Sequence, residues 1–143
     1  MRTLSTLGQL ESKRVLLRCD LNVPIENGVI SDDGRIRASL PTIKYLIDQG
    51  ARVIICSHLG RPDGARVEKH SLRPVAKKLS ELLDEPVSFS EDSVGREASD
   101  QVSILENKDV LLLENLRFHS SETSDSETER QDFAADLAEL ADV

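Results

Sequence analysis

Four short apolar runs limit the folds that this chain can adopt. They are "RVLLRC" (Arg14–Cys19), "RVIICS" (Arg52–Ser57), "PVSFS" (Pro86–Ser90) and "DVLLLEN" (Asp109–Asn115). The first, second and fourth are nearly continuous in Val, Leu and Ile, whereas a strand with one solvated face alternates apolar and polar residues. We therefore predict strands that are buried on both faces, as in a parallel sheet.

Helical patterns follow the predicted strands. Apolar residues recur at helical spacing in Leu40–Gly50, Ser71–Asp84 and Ser126–Leu140, and a shorter helix is predicted over Gly95–Ser103. Ser71 is a predicted N-cap, Gly50 a predicted C-terminal cap, and Ser126 opens a Ser-x-x-Glu capping box. The alternation of strands and helices predicts an α/β fold of three layers, with a parallel sheet between helices and right-handed crossovers.

Composition excludes several classes of function. The chain has 26 acidic and 18 basic residues, with a net charge of -8, which argues against binding to nucleic acid. No apolar run approaches the roughly twenty residues of a membrane span, and the first residues lack the apolar stretch of a secretory signal. Cys19 and Cys56 have no metal-ligand spacing, so we expect buried, reduced thiols in a cytoplasmic protein.

Polar residues follow three of the predicted strands. Asp20 and Asn22 come after the first, in front of a turn-rich loop "IENGVISDDGRIR". His58 and Arg61 of "SHLGRP" come after the second, and Arg117 of "ENLRFH" comes after the fourth. Ligands of open parallel sheets bind outside the carboxyl ends of the strands, so these side chains are expected to share one edge. A cationic cleft on an acidic body suits a small anionic metabolite.

Each of these residues also has a structural interpretation. Asp20 and Asn22 are good turn formers, and Gly60 and Pro62 are common in turns. Arg35 and Arg37 lie on the first connection, and Arg37 fits a structural role better than a functional one.

Rival motifs are missing: there is no G-x-G-x-x-G, P-loop, G-x-S-x-G or zinc signature. The acidic segment "HSSETSDSETERQ" is expected to be a solvated loop that leads into a helix.

Several motifs together resemble the N-terminal domain of the phosphoglycerate kinase family. They are "VLLRCDLNVP", "RIRASLPTIKYLIDQGARVIICSHLGRPDG", "SLRPVAKKLSELL" and "VLLLENLRFH", in family order from about Arg14 to the end of the chain. The resemblance implies one lobe of a two-lobed, hinged enzyme, with a Rossmann-like parallel sheet that binds 3-phosphoglycerate or 1,3-bisphosphoglycerate. It also implies reversible phosphoryl transfer to ADP in glycolysis, by an enzyme that is a cytoplasmic monomer at full length.

The resemblance also implies roles for single residues. Asp20 and Asn22 match residues that hold the hydroxyl and carboxylate end of the substrate. Arg35, rather than Arg37, matches the arginine that neutralises charge on the transferring phosphoryl group and is the implied catalytic residue. The residues of the remaining motifs match those that hold the fixed phosphate and carboxylate: His58, Leu59, Gly60, Arg61 and Arg117.

The sequence departs from the family pattern in its length. Residues 1–143 match only part of the N-terminal domain, so we expect a chain cut before its fifth strand. The lobe that binds Mg²⁺ with ADP or ATP is absent, so we expect this chain to bind no cofactor or metal and to lack kinase activity alone. Two alternatives stay open: a non-catalytic module that binds phosphorylated sugar acids, and an unstable fragment with an open sheet edge.

Overall fold

A computed structural model describes all 143 residues, with six strands and four α-helices. The strands are β1 (Arg14–Arg18), β2 (Ile25–Glu26), β3 (Val29–Ile30), β4 (Arg52–Cys56), β5 (Val87–Ser90) and β6 (Val110–Leu113). The helices are α1 (Gly34–Asp48), α2 (Arg73–Leu83), α3 (Gly95–Ser103) and α4 (Glu127–Ala138). Short 3₁₀ helices cover Leu4–Thr6, Glu68–His70, Leu116–Phe118 and Ser120–Thr123.

The main sheet has four parallel strands in the order β1-β4-β6-β5. Val15, Val53, Val110 and Val87 pair across it in one row. Every strand therefore has its carboxyl end at the same edge of the sheet. This arrangement confirms the predicted α/β class with a parallel sheet.

Helices cover both faces of the sheet, because successive side chains of a strand point to opposite sides. On β4, Val53 and Ile55 pack in a core with residues of α1 and α2, whereas Ile54 and Cys56 pack in a second core with α3 and α4. All four side chains are buried. The three predicted layers are therefore present, and the continuous apolar run of β4 is explained by its two covered faces.

The two thiols lie on opposite faces of the sheet. Cys56 is buried in the core beside α3 and α4, whereas Cys19 is half-buried and packs against the other core. Both cysteines are free. Burial raises the pKa of both thiols, that of Cys56 to about 11. Both thiols are therefore protonated at neutral pH, and the predicted burial is confirmed for Cys56, whereas Cys19 is only half-buried.

The first connection differs from the prediction. β2 and β3 form an antiparallel hairpin instead of an irregular loop. Asn27 and Gly28, at its tip, have φ values of 51° and 76°, which fit a two-residue turn with two positive φ angles. Helix α1 begins at Gly34, six residues before the predicted start at Leu40. Arg35 and Arg37 therefore lie in a first helical turn rather than on a loop.

The capping predictions hold in part. Ser126 Oγ accepts a hydrogen bond from Glu129 N at 3.3 Å, as predicted, but the Glu129 carboxylate bonds Ser124 Oγ instead of completing the capping box. Leu72, not Ser71, precedes the first residue of α2, although Ser71 Oγ still accepts from Arg73 N at 3.2 Å. No helix has the length and apolar character needed to cross a membrane.

The last residues of the chain run beside β1. Val143 N donates to Arg14 O at 3.1 Å, and Leu16 N donates to Val143 O at 2.8 Å, which is the pairing of neighbouring parallel strands. The Asp142 carboxylate also accepts hydrogen bonds from the backbone N and from the guanidinium Nη2 of Arg14, at 2.9 Å each. These bonds lower the pKa of Asp142 to about 2. The outer edge of β1 is therefore partly covered.

Candidate functional site

The carboxyl ends of β1, β4 and β6 bring the predicted residues to one edge of the sheet. We call this set the strand-end cluster: Asp20, Asn22, Arg35, His58, Arg61 and Arg117. Direct bonds join the loops that carry it. Gly60 N donates to Asn22 Oδ1 at 2.9 Å, Leu59 N to Asn115 Oδ1 at 3.2 Å, and Leu21 N to Ser57 Oγ at 3.0 Å. The predicted convergence of three strand ends is thus present.

Arg35 reaches back from the first turn of α1 to the loop after β1. Its Nη1 donates to Asn22 O at 2.7 Å and to Asp20 Oδ1 at 3.3 Å. Asp20 Oδ1 also accepts from Asn22 N at 3.2 Å. The Nε and Nη2 groups of Arg35 have no protein partner, and more than half of its side chain is exposed. Arg35 is therefore held at one nitrogen and free at two.

Arg37 lies two residues further along α1 and faces away from this contact. Its Nε donates to Asp33 Oδ1 at 3.0 Å, one helical turn earlier. That hydrogen bond is the main reason that the pKa of Asp33 is lowered. Arg37 makes no hydrogen bond or ion pair with the strand-end cluster. Arg35, and not Arg37, therefore contacts the residues after β1.

The loop after β4 contains both anchored and free residues. Leu59 is buried, and its N–H and C=O both bond the Asn115 side chain. The backbone polar groups of Leu59 are therefore engaged within the protein, and its part in binding stays a prediction. Gly60 has a φ of +62°, and a methyl group there would collide with the His70 ring. Arg61 is exposed and has no hydrogen-bond or ion-pair partner.

Two residues of the "ENLRFH" motif organise this edge from inside. Asn115 is fully buried, and its Nδ2 donates to Leu59 O at 2.7 Å and to His70 O at 2.9 Å. Its Oδ1 also accepts from Arg117 N at 3.0 Å. Buried Glu114 accepts from Ser71 Oγ at 2.7 Å and from Leu72 N at 2.9 Å. The sequence analysis treated both only as parts of a motif, although a polar pair at the end of an apolar strand was a visible signal.

His58 lies near several charges at the end of β4. Burial lowers the pKa of His58, and the positive charges of Arg117 and Arg18 lower it further, against smaller opposing effects of Glu122 and Asp20. His58 is therefore neutral at pH 7. It can donate from one ring nitrogen and accept at the other.

Sequence analysis missed Arg18 and Glu122. Arg18 is the last residue of β1, and its Nη2 donates to Glu122 Oε1 at 2.9 Å. Arg117 Nε donates to Glu122 Oε2 at 3.3 Å. Burial raises the pKa of Glu122, but the bonds and charges of Arg18 and Arg117 outweigh it and leave the pKa below its ordinary value. Arg18 stands in the quoted run "RVLLRC", whereas nothing local in the sequence distinguishes Glu122 from neighbouring carboxylates.

A groove of about 740 Å³ lies elsewhere, between the β2–β3 hairpin and α2. It shares no lining residue with the strand-end cluster. Its charged lining is mixed: Glu68, Lys69, Arg73, Lys77, Lys78 and Glu81. Two of the cations are already paired, Lys78 with Asp33 and Arg73 with Glu91. Paired and free cations are therefore present in both places, and it is the strand-end cluster, not the groove, that holds the motif residues after β1, β4 and β6.

Fold and site together define an open parallel α/β domain with a mostly cationic cluster at the carboxyl ends of its strands. A family model described as phosphoglycerate kinase matches residues 4–143. The chain belongs to the phosphoglycerate kinase family. This confirms the resemblance found in the motifs.

Individual relatives agree with the family assignment. The chain is 59% identical over 143 residues to a phosphoglycerate kinase of Leifsonia xyli subsp. xyli and 57% identical to one of Clavibacter michiganensis subsp. michiganensis. The crystal structure of phosphoglycerate kinase from Pyrococcus horikoshii OT3 matches 99% of this chain with a TM-score of 0.88 and 38% identity. The structure from Coxiella burnetii matches 97% with a TM-score of 0.79 and 39% identity.

The chain covers only part of each of these proteins. It spans 36% of the Leifsonia protein and 35% of the Clavibacter protein. It covers 35% of the Pyrococcus chain and 33% of the Coxiella chain.

Proposed function

We propose that residues 1–143 form the phosphoglycerate-binding part of a phosphoglycerate kinase. The complete enzyme would transfer a phosphoryl group reversibly between 1,3-bisphosphoglycerate and ADP, giving 3-phosphoglycerate and ATP in glycolysis. One observation carries the proposal: cationic side chains gather at the strand ends of a chain whose net charge is -8. Phosphoryl transfer depends mainly on positioning and on neutralisation of charge, which such a cluster supplies.

Arg35 is the proposed catalytic residue of this half of the site. Its Nη1 is fixed on Asn22 O, so Nε and Nη2 are held in place as donors for the transferring phosphoryl group. Asn22 Oδ1 is occupied by Gly60 N–H, which leaves Nδ2 as a donor to the substrate carboxylate. Asp20 keeps Oδ2 without a protein partner, and this oxygen can accept from the substrate hydroxyl.

His58, Arg61 and Arg117 are proposed to hold the fixed phosphate and the carboxylate. Arg117 uses only Nε in its ion pair, so its two Nη groups can form a bidentate contact with an anion. Neutral His58 can add one N–H donor without charge repulsion from the neighbouring arginines. Arg61 has no protein partner to give up when an anion binds.

The nucleotide side of the reaction is not assigned to these residues. No three His, Cys, Asp or Glu side chains of the chain are arranged to hold a metal ion. In a phosphoglycerate kinase, ADP would accept the phosphoryl group, or ATP would donate it in the reverse direction, and Mg²⁺ would neutralise charge on the phosphates. We expect the 143-residue chain alone to bind phosphoglycerate without transferring phosphate, and detectable ATP formation by the pure chain would contradict this.

Isothermal titration calorimetry with 3-phosphoglycerate tests the binding proposal. The wild-type chain should bind with a Kd of about 1 mM or tighter, and Arg117→Ala should weaken binding by about tenfold or more, because it removes a charge-assisted contact. Arg96→Ala is the matched control, since Arg96 is an exposed arginine on α3 that pairs with Asp100 and bonds no residue of the cluster. Absence of wild-type binding, or equal losses in the two variants, would overturn the proposal.

A further inference from the structure

Glu122 joins Arg18, at the end of β1, to Arg117, which follows β6. Arg18 Nη2 donates to Glu122 Oε1 at 2.9 Å, and Arg117 Nε donates to Glu122 Oε2 at 3.3 Å. Each carboxylate oxygen thus serves one guanidinium. The Glu122 side chain is only 11% exposed, whereas that of Arg18 is 55% exposed. This is a partly buried bridge rather than a loose surface contact.

The bridge crosses the end of β4, the strand that precedes His58. Arg18 ends β1, and Arg117 follows β6. In the sheet, β1 and β6 lie on either side of β4, which leads into His58. Glu122 therefore connects the end of β1 with the segment after β6, on the two sides of β4.

The atoms used by Arg117 indicate what the bridge does. Arg117 offers Nε to Glu122, its backbone N bonds Asn115 Oδ1, and Nη1 and Nη2 have no protein partner. A carboxylate that competed for the anion site would engage the terminal Nη groups, which form the fork that grips phosphate. Glu122 instead accepts from Nε and leaves Nη1 and Nη2 of Arg117 free to bind an anion.

We propose that Glu122 is a positioning residue, which orients Arg117 so that its Nη fork can capture the anionic group of the substrate. The negative charge of Glu122 is compensated by Arg18, so it opposes the incoming anion little. The orientation is set before the anion arrives, which reduces the conformational entropy lost on binding. This inference rests on the proposed function, because it concerns the same phosphoglycerate site.

The test compares Glu122→Gln with Asp125→Asn, a carboxylate of the same acidic segment that has no hydrogen-bond or ion-pair partner. A glutamine keeps the size of Glu122 but has only one acceptor oxygen for two guanidinium groups. We expect Glu122→Gln to weaken 3-phosphoglycerate binding about tenfold and Asp125→Asn to change it less than twofold. Unchanged or tighter binding in Glu122→Gln would overturn the inference, since a competing carboxylate predicts tighter binding.

A spectroscopic measurement separates orientation from a loss of stability. In the wild-type chain, the Arg117 Nε–H resonance should exchange slowly with water, and in Glu122→Gln it should exchange faster while the backbone spectrum stays dispersed. An unchanged Arg117 Nε–H resonance would contradict the inference. If Glu122→Gln does not fold, Arg117→Lys replaces it: lysine has no separate Nε and Nη groups, so binding should weaken about tenfold although its charge remains.

The two proposals fail in different ways. A wild-type chain that does not bind 3-phosphoglycerate contradicts the proposed function and the role of Glu122 with it. A wild-type chain that binds, together with full binding by Glu122→Gln, contradicts only the role of Glu122, whereas full binding by Arg117→Lys also contradicts the bidentate contact proposed for Arg117.

Discussion

At the scale of single residues, Gly60 connects two of the strand-end loops. Its N–H donates to Asn22 Oδ1 at 2.9 Å, and its φ of +62° lies in the region that favours glycine. The space beside its Cα is filled by the His70 ring. A side chain at position 60 would therefore be strained by its backbone conformation and would have to displace the His70 ring.

We predict that Gly60→Ala lowers the free energy of unfolding more than Gly28→Ala does. Both positions have positive φ, which costs alanine about 1 kcal/mol, but a methyl group at Gly28 meets no atom within 4 Å. At Gly60 the collision with His70 should raise the total loss to about 2–3 kcal/mol. Urea unfolding of both variants measures the difference, and equal losses would show that the ring contact has no energetic role.

His58 should titrate below its ordinary pKa of 6.5, because burial and then the charges of Arg117 and Arg18 disfavour its cationic form. The unfolded chain then binds more protons than the folded chain between the folded pKa and 6.5. The stability that neutral His58 contributes is complete above about pH 6.5 and is lost as the pH falls toward the folded pKa.

Proton NMR of the imidazole ring measures this shift directly. The midpoint for His58 should lie below 6.5 and should move up in Arg117→Gln, which removes a neighbouring positive charge. The stability of His58→Gln relative to wild type should also increase as the pH falls from about 7 to about 5. A midpoint at or above 6.5 would contradict the electrostatic description of the cluster.

The sequence predicts which residues share the edge of the sheet better than it predicts the contacts between them. Asp20, Asn22, His58 and Arg117 follow from one rule, that parallel strands end at a common edge. The link between Arg18 and Glu122 joins residues 104 positions apart, so no local pattern reveals it. The buried position of Leu59 likewise depends on Asn115, which lies 56 positions away.

At the scale of elements, Glu114 shows how the end of one strand fixes the start of a helix. The carboxylate accepts from Leu72 N at 2.9 Å, from Ser71 Oγ at 2.7 Å and from Asn115 N at 2.8 Å. A negative charge at the N-terminus of α2 also suits the helix dipole. Glu114, the residue after β6, thus shares with Ser71 the hydrogen bonding at the start of α2.

Glu114→Ala should therefore loosen the first turn of α2. The buried N–H groups of Leu72 and Asn115 would lose their acceptor, at a cost of about 3 kcal/mol. Hydrogen exchange should accelerate at these two amides more than in the centre of the helix. Glu81→Ala, an exposed change on the same helix, should cost less than about 0.5 kcal/mol. Unchanged exchange at Leu72 would contradict this role of Glu114.

Element boundaries were predictable where one physical signal dominated. The main strands lie within two residues of the apolar runs, and α3 has the predicted bounds of Gly95–Ser103. Helix α1 was predicted too short because its first turn is polar and Pro41 lies inside it. The hairpin β2–β3 was missed although Asn27-Gly28, between Ile25-Glu26 and Val29-Ile30, is a strong turn signal.

At the scale of the whole molecule, a parallel sheet of four strands gathers positive charge that the composition conceals. The net charge is -8, but four arginines lie at one edge, Arg18, Arg35, Arg61 and Arg117, against two carboxylates, Asp20 and Glu122. Such a local positive field attracts small anions to one place, while the acidic remainder repels larger polyanions. The fold thus converts separate charged residues into a site for a small anionic metabolite.

An amide NMR titration with 3-phosphoglycerate tests this account most directly. We expect dispersed peaks, with shifts concentrated at Asp20–Asn22, His58–Arg61 and Arg117, and no such shifts in Arg61→Ala. Residues of the 740 Å³ groove beside α2 should keep their positions. Dispersed peaks without shifts, or shifts centred on that groove, would contradict the assignment of the strand-end cluster as the phosphoglycerate site.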